Sequence, residues 1–468
     1  MIEYPSEFFK VEVIMSQEVK ENKMGVLPEG RLLLSMSLPM MVSMLVQALY
    51  NIADSMFVSR IQDNKAAFNA VSLAFPLQTL LIAIAAGTGV GVNALISRAL
   101  GEKNQKRVNA VAANGVFVYF VSYVVVAILG FIVVRPFYNW QTGNQIVREL
   151  GVSYLTIVMV ASFGIFGQFI FERMLQATGR TFFTMISQGI GAIINIILDP
   201  LLIFGVGIFP ELGIKGAAYA TVFGQIIAAF IAFIYNQKKN PDISLSFKGF
   251  KPDGGIIGEI YIIGVPSIIM QSIGSIMTAG MNRILGQFSE DAVNVFAAYF
   301  KLQSFFFMPV FGLNNGIIPI VSYNYGAKKK KRMINTMKFG YLIAFIFTTI
   351  GFALFMIIPD KLLLMVFDAT PGMLEIGVPA LRIIAVHYLI AWYCIVTGTL
   401  FQAVGSAIYS MLVSIARQLV VLLPAAYILS KIGGVSLIWW CFPIAELMSL
   451  AITTVCLFLV KKKKLDQI

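Results

Sequence analysis

The sequence predicts an all-α polytopic membrane protein with twelve transmembrane helices in two six-helix lobes, related by a parallel internal repeat. Three observations predict it. The 468 residues are 58% apolar and only 12% charged, with a mean hydropathy of +0.82. Apolar runs long enough to cross a bilayer follow one another from end to end. Short motifs recur at a steady separation close to half the chain. A soluble domain is about 45–50% apolar and about 25% charged, so a soluble enzyme of this length could not cover so much apolar surface. Disorder requires low hydrophobicity and is excluded too.

A membrane helix needs about 20 apolar residues. Twelve segments satisfy this, near 32–58, 70–97, 108–134, 150–175, 181–204, 215–236, 257–285, 292–322, 334–359, 379–401, 406–430 and 435–460. The runs 32–53, 66–97, 108–134, 151–171, 216–237 and 339–359 contain no Asp, Glu, Lys or Arg. The run 383–416 carries only His387 and is divided at Gly405, where Gln402-Ala403-Val404-Gly405-Ser406 reads as a turn. Lys and Arg are distributed unequally. The N-terminus, the even-numbered loops and the C-terminus hold 24, and the odd-numbered loops hold 9. Positive loops stay inside, which predicts a multi-pass membrane protein with both termini in the cytoplasm. The net charge of +12 is thereby a topology signal, and no nucleic-acid partner is expected.

Residues 1–27 include Glu3, Glu7, Glu12, Glu18 and Glu21 and lack the apolar core of a signal peptide. They are expected to form a cytoplasmic extension, with Met15 and Met24 as alternative starts. An N-lobe over 28–236, a cytoplasmic linker over 237–256, a C-lobe over 257–460 and a basic tail over 461–468 complete the expected organisation. Cys394, Cys441 and Cys456 lie in apolar runs with no CxxC pair, there is one histidine, and no GxxxxGK[ST] stretch occurs. Disulfide, zinc and ATP chemistry within the chain are therefore not expected. Neither is any cofactor. Uphill transport would need an ion gradient or a separate subunit.

The repeat aligns Leu77-Gln78-Thr79 with Leu302-Gln303-Ser304, and Ser97 through Gly101 with Ser322 through Gly326. It also aligns Gln176-Ala177-Thr178-Gly179 with Gln402-Ala403-Val404-Gly405, and Pro39 with Pro266. Six helices per half is an even number, so both halves enter the membrane in the same sense. Such repeats enclose a cavity about an axis along the membrane normal.

Charges inside these segments need a reason, because one at the bilayer centre costs about 2.5–3.5 kcal/mol. Asp54 and Asp199 each lie deep in a helix that starts on the basic side, at similar depth in the outer half. Asn195 sits one turn before Asp199 on the same face. Two carboxylates and an amide at one depth can hold a proton or a cation. The bland alternative is a helix-end carboxylate meeting interfacial water. Glu172 lies near the cytoplasmic end of its span beside Arg173 and Arg180, where a solvated loop charge is the simple reading. Arg417 and Glu446 reach mid-membrane from opposite ends of adjacent helices and are expected to form a buried ion pair. Lys301 is expected to snorkel and His387 to be a hydrogen-bonded core residue. Pro39 and Pro266 remove an intrahelical bond and can bend their helices.

The stretch LPMMVSMLVQALYNIADSMFVSR, followed in order by ISRALGEKN, LQATGR, NIILDPLLIFG, GIKGAAYAT, YNYGAKKKK and FQAVGSA, resembles the multidrug and toxic compound extrusion (MATE) family in its MepA-like bacterial branch. The resemblance covers about residues 25–460. It implies twelve helices in two lobes, a central cavity, and export of organic cations and similar drugs in exchange for inward H+ or Na+. On this resemblance Asp54, Asn195 and Asp199, with Thr221 as a fourth member, fall on an ion-coupling site. Glu172 falls on a cargo-handling acid. Pro39, Gln47 and Asn51 join Glu172 as candidate substrate or gating residues. No metal site is expected beyond Na+ at Asp54 and Asp199. Small-molecule drugs and the lipid bilayer are the expected partners, and a monomer the expected state. Two rivals remain at this level. A lipid or lipid-linked glycan flippase would want a cationic cavity, and only Lys301 and Arg417 read as buried bases. An intramembrane receptor or enzyme would want a catalytic cluster, and none is visible.

Overall fold

The computed structural model describes residues 22–58, 60, 61, 64–367 and 369–467. Residues 1–21 of the expected extension thus lie outside the described residues. The helices are α1 (Lys23–Val26), α2 (Glu29–Val58), α3 (Asn64–Gly101), α4 (Gln105–Gln141), α5 (Gln145–Val160), α6 (Phe163–Ala177), α7 (Thr181–Phe204), α8 (Ile214–Lys239), α9 (Gly254–Leu285) and α10 (Glu290–Gly326). They continue with α11 (Lys330–Ile357), α12 (Pro359–Phe367), α13 (Pro371–Ala385), α14 (Tyr388–Ala403), α15 (Ala407–Ile415), α16 (Leu423–Ile438) and α17 (Cys441–Val460). No strand occurs among the described residues.

The helices begin where short polar residues can take up orphan amide donors. Asn104 accepts from the Arg107 amide (3.0 Å), Asp253 from Gly255 (2.8 Å), Ser289 from Ala292 (3.1 Å) and Thr370 from Met373 (3.2 Å), the last with Pro371 opening its helix. Ten helices are each long and apolar enough to cross a membrane. Two bent pairs, α5 with α6 (41°) and α13 with α14 (51°), bring the crossings among the described residues to twelve when each pair is taken as one span. Outward faces carry exposed Phe120, Ile128, Phe131 and Ile132 on α4 and Leu342, Phe345 and Ile350 on α11. Apolar groups facing out are what a lipid solvent permits.

Three details differ from the sequence reading. The fourth and tenth spans are broken helices, because Ser162 and His387 stand at their bends. A short helix, α12, lies between the ninth and tenth spans. The eleventh span runs from α15 through a π-helical turn, Ala416–Leu422, and on to Ile438, with non-helical backbone at Gly433 and a left-handed Gly434 (φ +65°). Its apolar run does not stop at residue 430, so the last span opens at Cys441 and not near 435.

Helices α2–α8 form one lobe and α9–α17 the other, joined by residues 240–253. The lobes meet along a seam with internal symmetry. On α3, a side-chain carbon at Gly87 would stand 2.6 Å from the Ile268 amide of α9. On α10, one at Gly312 would stand 2.6 Å from the Met41 Cα of α2. Gly101 lies against the Tyr323 carbonyl and Gly326 against the Arg98 carbonyl. These contacts all lie in the halves of the helices nearest the basic loops, so the seam is sealed on that side.

A strap reinforces it. Asn22 Nδ2 donates to the Thr178 carbonyl (3.2 Å) in the N-lobe. Met24 is fully buried among C-lobe residues including Leu313, Ile317 and Val404. Its carbonyl accepts from Asn324 Nδ2 (3.1 Å), and the Gly25 carbonyl accepts from Lys329 Nζ (3.1 Å).

Candidate functional site

Helix α7 places one polar stripe inside the N-lobe. Thr184, Ser187, Gly191, Asn195 and Asp199 recur at three- and four-residue steps and are buried, whereas Phe182, Ile193 and Ile197 point outward. Asp199 at the end of this stripe is fully buried, and Asp54 of α2 is half-buried. The two carboxylates lie near enough for their charges to interact. The Oδ1 atom of each has no hydrogen-bond partner among the described residues. Asn195 bridges to α8. With its amide turned to satisfy both ends, Nδ2 donates to Asp199 Oδ2 (3.2 Å) and the oxygen accepts from the Thr221 amide (3.0 Å). Tyr50, one turn before Asp54, stands beside Thr221 and both carboxylates. Gln78 donates to the Tyr154 hydroxyl (2.9 Å) on the far side of Asp54. The arrangement offers two carboxylates, an amide and hydroxyls in a closed space. It can hold a proton or a small monovalent cation. Among the described residues no group of three or more His, Cys, Asp or Glu could hold a metal ion.

Glu172 is not a solvated loop charge. It is 2% exposed and accepts from Gln168 (3.0 Å), Ser187 (3.2 Å) and Gln188 (2.5 Å). Ser43 of α2 donates in turn to Gln188. Glu172 lies on α6 beyond the 41° bend and faces α7 through Ser187 and Gln188. Arg173, which sequence placed at the loop with Arg180, is also buried. Its Nη1 donates to Gln176 (2.8 Å) and across the seam to Asn315 of α10 (2.9 Å). Arg180 stays at the surface and pairs with Asp242.

Two spaces meet at Arg173. The N-lobe pocket is lined by Glu172, Gln188, Asn195 and Thr221 among others. The inter-lobe cavity reaches Gln271, Phe311, Phe401 and Arg417 of the C-lobe. Met44, Gln47, Ile82, Phe169, Arg173 and Asn315 line both, so the two are continuous. Gln47 thus faces the path between them. Pro39 lies inside α2 on the sealed half. The Asn51 side chain falls outside the described residues.

In the C-lobe the π-helical turn presents Arg417 to α17, with Nη1 3.2 Å from Glu446 Oε2. π-Helical turns of this kind are frequent at functional sites. His387 is buried at the α13–α14 bend, its Nδ1 2.6 Å from the Ile384 carbonyl. Lys301, taken from sequence as one of two buried bases, is exposed and lies over the Phe367 ring. Arg173 is buried and Arg417 half-buried, and the inventory used against a cationic cavity changes. Sequence reading also missed Tyr50, Gln168, Gln188 and Asn315. The i, i+4 spacing of Gln168 with Glu172, and the polar stripe of α7, were the signals available for three partners of this site.

The comparisons agree with this geometry. The MatE family profile matches twice, over residues 39–201 and 266–428, so the matches open on Pro39 and Pro266 and fall one on each lobe. The chain is 27% identical over 435 residues to the multidrug export protein MepA of Staphylococcus haemolyticus, covering 90% of each. It is 26% identical over 424 residues to an FAD transporter of Shewanella oneidensis, covering 90% of this chain and 92% of the relative. Among solved structures it superposes on an outward-facing multidrug resistance MATE family transporter with a TM-score of 0.88 at 23% identity, covering 96% of this chain and all of the other. At a TM-score of 0.86 and 22% identity it also matches a Pyrococcus furiosus transporter described as having a binding pocket of reverse polarity. A twelve-crossing helical body in two lobes, matched by the family in each lobe, is a multi-pass membrane transporter and not an enzyme: the chain belongs to the MatE family.

Proposed function

We propose that the chain is a secondary active efflux antiporter. It moves small organic molecules out through the inter-lobe cavity, in exchange for inward H+ or Na+ taken up at Asp54, Asp199, Asn195 and Thr221. The observation that carries this reading is the carboxylate pair in the N-lobe. Each carries an unpartnered oxygen, in a lobe whose pocket runs into the cavity. Like charges in a dry site cannot both stay ionised without a counter-ion. A proton or Na+ relieves that conflict, draws α2 toward α7, and narrows the space available to cargo. Its release lets the lobe relax. With the basic loops in the cytoplasm, the sealed seam corresponds to a state open to the outside. Reversing the seal completes alternating access.

The energetics suffice. One positive charge moving inward through 100 mV supplies about 2.3 kcal/mol, equivalent to about 1.7 decades of cargo gradient. Organic cations, the cargo implied by the family resemblance, meet one carboxylate at the N-lobe pocket lining, Glu172. That carboxylate already accepts three hydrogen bonds.

The test uses everted vesicles under an imposed pH gradient and, separately, a Na+ gradient. Uptake of ethidium and of 1-naphthyl phosphate is measured per molecule of protein, so that both signs of cargo are sampled. Asp54→Asn and Asp199→Asn keep shape but cannot ionise. Both should reach the membrane, retain probe binding and lose gradient-driven uptake by at least tenfold. Asn195→Ala, which removes only an orienting amide, should lose less. Wild-type uptake in both Asp variants would overturn the coupling site.

A further inference from the structure

We propose that the inter-lobe cavity recognises an oxyanion, and that the cargo is an apolar or aromatic molecule whose carboxylate or phosphate group is bound by Arg173, with Arg417 lining the same cavity. This rests on the reading that cargo passes through that cavity.

The charge of the cavity wall is the starting observation. Among the described residues its charged lining residues are Arg173 and Arg417, and none that lines it is an Asp or Glu. The two arginines come from opposite lobes, Arg173 from α6 and Arg417 from the π-helical turn. Arg173 is 6% exposed and has no carboxylate within ion-pair distance among the described residues. Its hydrogen bonds go to the neutral oxygens of Gln176 and Asn315, and its Nε has no partner. A buried guanidinium held only by amides is costly. Glu172 lies near enough for its charge to be felt, but its hydrogen bonds go to Gln168, Ser187 and Gln188 and none goes to Arg173.

Arg417 is placed differently and to the same end. Glu446 behind it is 2% exposed, while the Arg417 side chain keeps 29% of its surface open. One nitrogen faces Glu446, and a guanidinium has five N–H donors in a planar fork. The remaining donors are available on the cavity side. A planar fork matches a carboxylate or phosphate edge better than any other ligand chemistry.

The rest of the wall suits the body of such a molecule. Phe169, Phe311 and Phe401 supply aromatic faces, and Phe169 already lies 5.7 Å from the Arg173 guanidinium. An organic cation entering here would desolvate against Arg173, which has no carboxylate within ion-pair distance among the described residues.

A naphthalene series of matched size tests the proposal on the purified full-length protein by fluorescence titration: 1-naphthyl phosphate, 1-naphthoate, neutral 1-naphthol and cationic 1-naphthylmethylamine. One or both anions should bind at least tenfold tighter than the neutral compound, with the cation weakest; which anion wins tells phosphate from carboxylate. Arg173→Gln should erase the anion preference. Arg173→Lys, which keeps the charge without the fork, should retain part of it and guards against a folding artefact. Equal binding of anion and neutral compound would overturn the proposal. So would tightest binding of the amine, or an anion preference that survives in folded Arg173→Gln. The efflux reading fails separately. If anion binding depends on Arg173 but no ion gradient drives uptake of any probe, the site stands and the antiport reading falls. If a gradient drives uptake of ethidium and not of 1-naphthyl phosphate, antiport stands and the oxyanion site falls.

Discussion

Single residues in this protein carry meaning through what surrounds them. Arg417 and Glu446 show it most directly. Glu446 is almost fully buried, so removing either partner leaves a charge without its counter-charge in the C-lobe. Arg417→Ala or Glu446→Ala alone should cost about 3–5 kcal/mol. Each should lower the yield of monodisperse protein in size-exclusion chromatography, and the double variant should recover much of it. Equal yields in all three would mean that the residues are not partners. The acidic residues of the N-lobe were visible in the sequence because a charge in an apolar run is conspicuous. Their neutral partners were not, because Gln168, Gln188 and Tyr50 are ordinary residues until the bend in the fourth span turns Glu172 toward α7. Arg173 was misplaced for the same reason: a position counted along a straight helix puts it at the loop, and a broken helix puts it under the cavity.

At the scale of elements, the repeat reaches into backbone geometry. Gly179 and Gly405 both take left-handed conformations (φ +82° and +70°) after the same Gln-Ala motif. Lys103 and Lys328 do so too (φ 55° and 56°). Ser97 donates to the Ala177 carbonyl (2.9 Å), and Ser322 to the Ala403 carbonyl (2.8 Å). Glycine accepts positive φ without strain, which explains why these turns were legible. The strap over residues 22–27 has no counterpart in the repeat and was read only as an extension. It bridges the lobes on the sealed side, so Met24→Asp should loosen that seal. A cysteine at Ser37, buried between α2 and α10 in a background without the native cysteines, should then react with maleimide several-fold faster. An unchanged rate would show that the strap does not bear on the seam. Burial, and then the nearby Arg180, hold the Lys23 ammonium below its usual pKa. The charged form is thereby disfavoured in the docked strap. Docking should tighten as pH rises through that lowered pKa, and the Ser37 labelling rate, taken relative to that of a fully exposed cysteine so that thiol ionisation cancels, should fall accordingly.

For the whole molecule, the seam and the charge asymmetry belong together. Close glycine contacts at Gly87, Gly101, Gly312 and Gly326 seal the half nearest the basic loops. If those loops are cytoplasmic, a cysteine at Lys330 should react only with a reagent admitted to the cytoplasm. A cysteine at Ile208, 94% exposed between α7 and α8, should react only from outside. Labelling of both from one side would refute the twelve-crossing topology. The same two-lobed arrangement decides where cargo meets charge. Two arginines more than 240 positions apart in the chain share one cavity, and the nearest carboxylate in sequence to one of them, Glu172, turns into the other pocket.

What the sequence determined by itself was the solvent, the number of crossings and the repeat. Each of these is written in local composition: apolar length sets a crossing, and recurring short motifs set the two halves. It also marked Asp54 and Asp199, since a buried carboxylate in an apolar helix stands out without any neighbour. The tertiary structure alone decided which charges are paired and which face open space. Helix bends at residues 161–162 and 386–387 redirect whole faces, and partners from opposite lobes meet only after both are packed. The charge of the inter-lobe cavity is such a property: it depends on α6 and the π-helical turn arriving at one place, which no local window of sequence contains.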